Sequence, residues 1–348
     1  MRIILFTLII TILSMIGTAV VFLFNIDTIH NYRDVWIETA MNTFHHKWLA
    51  EWFFPKETIQ SVMNKRVDTI INPNIEEFAE KTPEKDKNNK SDIFLQYMNL
   101  QKGDLDFAGN EIFDVDIEQE IAVSNLSTSD YKGKVAIIPD PSRVKIAHTS
   151  KKGIIGNNIL TFLSKYDAIL AVNASGFADY RGVGDGGEIM GVSCSNGEYW
   201  GEYRDDYNTI AFNDNDELLV GQFGYWKEHN VRDGMQFNPA LIINGEKLVS
   251  GTAGWGLQPR TAIGQRKDGA IVIITIDGRK PGYSIGATME QLADIMLDYG
   301  VINAAACDGG SSTIMGYKGN IITRCSSPQE GGRYLPNAFI VTRKEANK

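Results

Sequence analysis

Two aspartates, each followed by glycine, stand where chemistry could be done: Ile276-Asp277-Gly278-Arg279 and Cys307-Asp308-Gly309-Gly310-Ser311-Ser312. A carboxylate can serve as base or nucleophile, and the planar fork of an arginine suits a phosphate or a second carboxylate. Gly309 and Gly310 permit close backbone approach, and their amides with the hydroxyls of Ser311 and Ser312 could cradle anionic oxygens. Against this stands a plainer reading, in which Asp-Gly is ordinary turn chemistry and the serines cap the turn. Spacing alone weighs the two evenly.

The acids must be held by the elements that precede them. Largely apolar runs at 270–276 and 302–306 read as strands covered on both faces, and between them 289–299 has helical periodicity. Thr288 is placed to cap that helix, Gln291 occupies the capping-box position, Gly300 ends it, and Met289, Leu292, Ala293 and Met296 share a core-facing side. If the two strands are parallel neighbours joined by a right-handed crossover, both acids emerge at one sheet edge on strands about 4.8 Å apart. Asp277, Asp308 and Arg279 would then share a pocket outside the strand ends. Further strands are expected at 135–138, 168–172, 241–243 and 338–342, a second helix at 155–165, and a hairpin turn at Asp268-Gly269.

Glycine usage divides the chain. Of the 33 glycines only Gly17 precedes residue 103, so a turn-poor, helical region leads into a domain rich in strands and tight turns. The uncharged run from Ile3 to Phe24 has the length of a membrane-crossing helix and exceeds the apolar core of a cleavable signal peptide. It reads as an uncleaved signal anchor over residues 1–26, with Arg2 keeping the N-terminus cytoplasmic and the rest of the chain outside. Residues 27–104 are expected to form a helical stalk carrying Trp36, Phe44, Trp48, Trp52 and Phe53 and ending in a polar linker at 79–92; residues 105–348 form the main domain. The whole is an α+β protein, a mixed sheet core flanked by helices.

A formal net charge of -9 without a basic run excludes a nucleic-acid partner held by phosphate contacts. Cys194, Cys307 and Cys325 are too few and too scattered for a disulfide framework or a structural zinc site, and His45, His46, His148 and His229 lack metal-ligand spacing. Gly182 to Gly187 fits a dinucleotide fingerprint but follows no strand and opens no helix. Gly309-Gly-Ser-Ser-Thr313 fails the nucleophile-elbow pattern at its last position, and no histidine is placed to activate Ser311 or Cys307.

Seven short motifs in order, Asn173-Ala-Ser-Gly-Phe177, Asn238-Pro-Ala-Leu-Ile-Ile-Asn-Gly245, Pro259-Arg-Thr-Ala-Ile-Gly264, Ile276-Asp-Gly-Arg279, Gly286-Ala-Thr288, Asp308-Gly-Gly-Ser-Ser312 and Arg333 with Asn337-Ala-Phe339, resemble the phosphodiester glycosidase family over roughly residues 105 to 345. The family includes an N-acetylglucosamine-1-phosphodiester α-N-acetylglucosaminidase and bacterial, exopolysaccharide-related members, and the stalk is similar to the region before the domain in membrane-anchored ones. Cys307 departs from the leucine the family usually carries there.

The resemblance implies hydrolysis of a sugar-1-phosphodiester in envelope or extracellular glycans, with a noncatalytic binder or scaffold for phosphorylated polysaccharide as the alternative. By motif position it implies phosphate contacts from Arg260, Arg279 and Arg333, positioning by Asn173 and Thr261, and further substrate contacts from Gly309, Gly310, Ser311 and Ser312. Asp308 is implied as base or nucleophile, with Asp277 as its partner or an orienting group and Glu188 as a further candidate acid. No cofactor is required by the sequence, and assistance by a divalent metal is left open.

Overall fold

The structure, a computed structural model, describes residues 2–24, 27–43, 45–66, 92–179, 184–224 and 226–344, with the side chains of 2–5, 20–24, 27–30 and 92 excepted. The expected polar linker, apart from Asp92, lies outside these residues, as do Phe44 and the start of the 182–187 glycine run. The chain forms two compact units, Met1–Val67 with Gly254–Leu257, and Asp68–Ala253 with Gln258–Lys348.

The first unit is helical. Arg2–Phe24, Asp27–Met41, Trp48–Glu51 and Lys56–Met63 are helices, as expected where glycine is absent and Pro55 stands at a helix start. Ile37, Ala40, Ala50, Phe54, Ile59 and Val62 form its core. Gly256, at φ +63, lets the 254–257 segment lie on Thr39, where an added Cβ would come within 2.5 Å of the Thr39 nitrogen. Among the described residues no helix is long and apolar enough to cross a membrane. Side chains of Arg2–Phe24 are described only over 6–19, short of the ~20 residues a crossing needs.

In the second unit, eight strands form one sheet in the order Glu111–Asp116, Ile121–Ser127, Lys132–Ile138, Ile271–Ile276, Arg260–Arg266, Val301–Ala306, Ala240–Ile243, Glu246–Lys247. Every neighbouring pair is antiparallel. The expected side-by-side pairing of the two acid-bearing strands is therefore corrected. Ile271–Ile276 and Val301–Ala306 do run parallel to each other, but Arg260–Arg266 lies between them and bonds to both. Asp277 and Asp308 consequently leave the same edge about 10 Å apart, two strand spacings, rather than one. The Asp268-Gly269 hairpin supplies the intervening strand, with Gly269 at φ +86.

Two five-stranded sheets complete the unit. One is ordered Glu198–Trp200, Ser193–Ser195, Val231–Phe237, Asn208–Asn213, Leu218–Gly221, and the other Asn320–Ile321, Met315–Tyr317, Ala168–Asn173, Asn337–Thr342, Val144–His148. Ile273 and Ala136 of the large sheet, Val172 and Phe339 of the second small one, and Phe212 and Met235 of the first share one buried core. Each of the fully buried Ile, Val, Phe and Met side chains among them contributes about 1.5–3 kcal/mol, so the sheets are fixed by that shared interior.

Helix Met289–Asp298 has the expected capping box from Thr288 and Gln291, and Gly300 follows at φ +73. Met289, Leu292, Ala293 and Met296 are buried. The other expected helix starts later, as Ile159–Lys165. Backbone bridges from Lys151 to Ile155 and from Asn157 to Leu335 hold the chain extended until Asn158, whose side chain accepts from the Thr161 amide at 2.8 Å. The α+β class stands, with antiparallel rather than crossover-paired central strands.

Candidate active site

Three strand ends meet at one edge of the large sheet. Antiparallel register sets Arg260 opposite Ile276 and Ala262 opposite Ala306, so the start of Arg260–Arg266 lies between the exits to Asp277 and to Cys307-Asp308. Strand Ala168–Asn173 of a second sheet arrives at the same place, because the Asp308 amide donates to the Ala174 carbonyl at 2.9 Å.

Asn173 closes the loop that follows. Fully buried, it donates from Nδ2 to the Asp308 carbonyl and accepts at Oδ1 from the Ile314 amide at 3.1 Å and the Thr261 hydroxyl at 2.7 Å. One side chain thus pins both ends of 308–314, and Thr261 orients that side chain. Both expected positioning residues act through the loop, away from any surface a substrate could reach.

Inside the loop the backbone is largely self-satisfied. The Gly309 amide donates to Asp308 Oδ1 at 3.0 Å, Gly310 to the Pro259 carbonyl at 2.9 Å, and Ser312 to Gly309 at 3.2 Å. The anion cradle expected from the Gly309 and Gly310 amides is thereby corrected, since both donors are spent on shaping the turn. Glycine is required there for another reason. Gly310 sits at φ +60, and a Cβ on it would meet Arg279 Nη2 at 2.9 Å. That close approach is how the loop accommodates the arginine.

Arg279 itself adopts a left-handed φ of +58 in the turn after Ile271–Ile276, a conformation costing a non-glycine residue on the order of 1–3 kcal/mol. Its Nε and Nη2 donate to Gln258 Oε1 at 2.8 and 2.6 Å. Burial lowers its proton affinity; the Asp308 charge restores part of it, and Arg333 works against it. Arg333, which is buried, lies 2.7 Å from Asp179 as an ion pair, approaches Ser311 Oγ at 3.5 Å and the Gly184 carbonyl at 3.3 Å, and covers the Phe177 ring at 4.5 Å.

Asp308 completes the group. Burial pushes its carboxyl up to about 6, opposed by the Ser312 hydroxyl, the Arg333 charge and the Gly309 amide and aided by the Asp179 charge. A carboxylate with that affinity exchanges protons close to neutral pH, which suits acid–base work. Two guanidinium groups and one such acid can bind an anionic ester and activate water beside it.

The remaining candidates lie elsewhere or face inward. Asp277 is buried, accepts from the Tyr283 hydroxyl at 2.8 Å and the Arg324 amide at 2.9 Å, and is not joined to Asp308, which corrects its expected partnership. Burial raises its proton affinity while those two donors lower it. Arg260 donates from Nε to the Ala287 carbonyl at 3.0 Å and is 4% exposed, so that N–H bonds the chain instead of an anion. Glu188 is exposed, and its backbone carbonyl accepts from Ala178 at 2.8 Å. Cys307 is buried, and burial pushes its thiol up, as expected of a packing residue. Among the described residues no three His, Cys, Asp or Glu side chains are grouped to hold a metal ion.

Sequence reasoning missed Asp179 and Gln258, which position the two arginines. Each had a signal: Asp179 follows the Asn173–Phe177 motif by two residues, and Gln258 immediately precedes Pro259-Arg260.

Comparison with known proteins bears on this arrangement directly. The family model described as phosphodiester glycosidase matches residues 166–342, a span that contains Asn173, Asp179, Gln258, Arg279, Asp308 and Arg333 but begins later than the expected 105. A prophage-derived uncharacterized protein of Bacillus subtilis, YomE, is 27% identical over 185 residues, covering 48% of this chain and 27% of that protein. The chain therefore spans about a quarter of the curated relative it matches. Among solved structures, the zebrafish N-acetylglucosamine-1-phosphodiester alpha-N-acetylglucosaminidase catalytic domain, auto-inhibited by its pro-peptide, has a TM-score of 0.54 at 17% identity, covering 64% of this chain and 82% of that one. Likeness at that identity speaks for the fold, while the family model spans more than half the chain and every part of the site. This chain belongs to the phosphodiester glycosidase family.

Proposed function

We propose that the protein hydrolyses a sugar-1-phosphodiester, releasing free sugar and leaving a phosphomonoester. The observation that carries this reading is the placement of Asp308, its proton affinity raised to about 6, in the charge field of Arg279 and Arg333. In this reading the two arginines hold the phosphoryl oxygens, and their charge stabilises the departing phosphate. Because that leaving group is already a weak base, no strong acid has to protonate it. Asp308, ionised, takes a proton from the water that attacks the anomeric carbon; the C–O bond to phosphate breaks, and the electron pair leaves with the phosphate. Ser312 holds the carboxylate in place through its hydroxyl.

Envelope or extracellular glycans are the substrates that fit an anchored enzyme. Ile3 to Phe24 would be the anchor, with the N-terminus cytoplasmic and the second unit outside, supported by the length and lack of charge of that run in the sequence. Retention of the full chain in the membrane pellet after alkaline carbonate would be expected, and its release would sink the anchor.

The deciding experiment incubates detergent-solubilised full-length protein with N-acetylglucosamine-1-phosphate esters and related sugar-1-phosphodiesters and measures free sugar. Release is expected. Tight binding of phosphorylated polysaccharide with no release from any such ester would instead identify a noncatalytic binder.

A further inference from the structure

We propose that Asp179 is a positioning residue for this reaction, clamping the Arg333 guanidinium between Ser311 and the Phe177 ring so that it is aimed at the phosphoryl group. The inference rests on the hydrolase reading above and adds to it a residue that no motif assigns.

The clamp is built from several directions. Arg333 Nη1 and Asp179 Oδ2 are 2.7 Å apart, and each side chain is only 8% exposed. Oδ2 makes no aligned hydrogen bond, so the contact is an ion pair held by placement. Asp179 is fixed from its other side: Oδ1 accepts from the Gly184 amide at 2.6 Å, and the Gly184 carbonyl accepts in turn from Arg333 Nη2. Only glycine permits this corner. A Cβ on Gly184 would stand 2.7 Å from the Ala178 carbonyl oxygen and 2.9 Å from Asp179 Oδ1. Phe177, two residues before Asp179, supplies the aromatic face under the guanidinium.

A buried arginine–carboxylate pair contributes little net stability compared with apolar residues of the same volume, because both charges lose their water. Stability alone thus gives weak reason for this pair. Its geometry matters at Ser311, which Arg333 reaches from the same nitrogen that faces Asp179. The pair therefore fixes the guanidinium against the loop that carries Asp308.

Charge and aim make opposite predictions for removal of the acid. Loss of a negative charge by itself would tighten binding of an anion. Loss of aim would weaken it, and the proposal requires weakening. The experiment compares full-length wild type, Asp179→Asn and Asp179→Glu, each checked for folding by circular dichroism and size-exclusion chromatography. It uses two readouts: steady-state hydrolysis of a sugar-1-phosphodiester and calorimetric titration with inorganic phosphate.

In Asp179→Asn, KM is expected to rise and phosphate affinity to fall, each by about tenfold, the size of one charge-assisted hydrogen bond. kcat should stay within a few-fold, the pattern of lost ground-state and transition-state binding alike. Asp179→Glu is expected to recover most of both. Unchanged or tighter phosphate binding in Asp179→Asn would overturn the proposal. Failure of both variants to fold would do the same, since it would make Asp179 a stability residue. Wild-type protein that releases no sugar would sink the hydrolase reading alone, and the phosphate titration would still decide the clamp.

Discussion

Asp277 and Asp308 begin from nearly the same local design and end in different chemistry. Each follows a buried strand of the same sheet, the strands run parallel, and each is followed by glycine. Asp277 is enclosed by the turn after it and by a remote segment: Tyr283 and the Arg324 amide occupy one oxygen each, and Ser284 donates to its carbonyl. Asp308 is bound mainly by its own loop, through Gly309 and Ser312, and stands in the fields of Arg333, Arg279 and Asp179. Both carboxyls have raised proton affinity from burial, so a shifted acid does not by itself identify the reactive one. What separates them is which partners remain for a ligand.

Substitution of each acid should break the pair apart. Asp308→Asn is expected to lower kcat by about 10²–10⁴-fold, the range for a lost acid–base group, with the fold intact. Asp277→Asn should leave kcat within a few-fold but cost about 1–3 kcal/mol of stability in urea denaturation, since a buried, doubly hydrogen-bonded carboxylate is replaced. Comparable loss of turnover in both variants would erase the distinction.

Gly310 tests how the Asp308 loop is shaped. Ala at φ +60 costs about 1–2 kcal/mol in backbone strain. Its Cβ would also push on Arg279 Nη2, so Gly310→Ala should lower kcat/KM by about tenfold, mainly through KM. Wild-type kcat/KM in a folded Gly310→Ala protein would show that Arg279 needs no such fit.

The smallest effect expected is on stability against pH. Asp308 moves from an ordinary 3.8 to about 6 on folding, so the native state holds the proton more tightly than the unfolded chain. Its ionised form therefore destabilises the fold: the penalty is absent below about pH 4, grows between 4 and 6, and is complete above 6. Asp308→Asn lacks this penalty. Thermal melts should show the variant more stable than wild type at pH 8, with the gap closing toward pH 4, and the partial exposure of the group keeps the gap modest. In the active enzyme the same ionisation should give a fall in kcat/KM below about pH 6.

Much of this was legible in advance. Largely apolar runs marked six of the strands, Asp268-Gly269 marked the hairpin, and Thr288 with Gln291 marked a helix start, because each depends on residues close in the chain. Strand order was not legible. A helix between two apolar runs suggests neighbours, yet the hairpin strand Arg260–Arg266, earlier in the chain, inserted between them. What Gly309 and Gly310 do in the loop was not legible, because the Pro259 carbonyl that takes the Gly310 amide is remote in sequence.

By itself the sequence determined the apolar strands, the capped helix, the tight glycine turns and the acid-glycine loop, all set by local propensity and pattern. Only the tertiary structure decided that Asp308 faces two arginines while Asp277 is closed off, and that Asp179 holds one of those arginines. A carboxylate's chemistry is set by what lies within a few ångströms of it, and those neighbours came from strands and loops far apart in the chain.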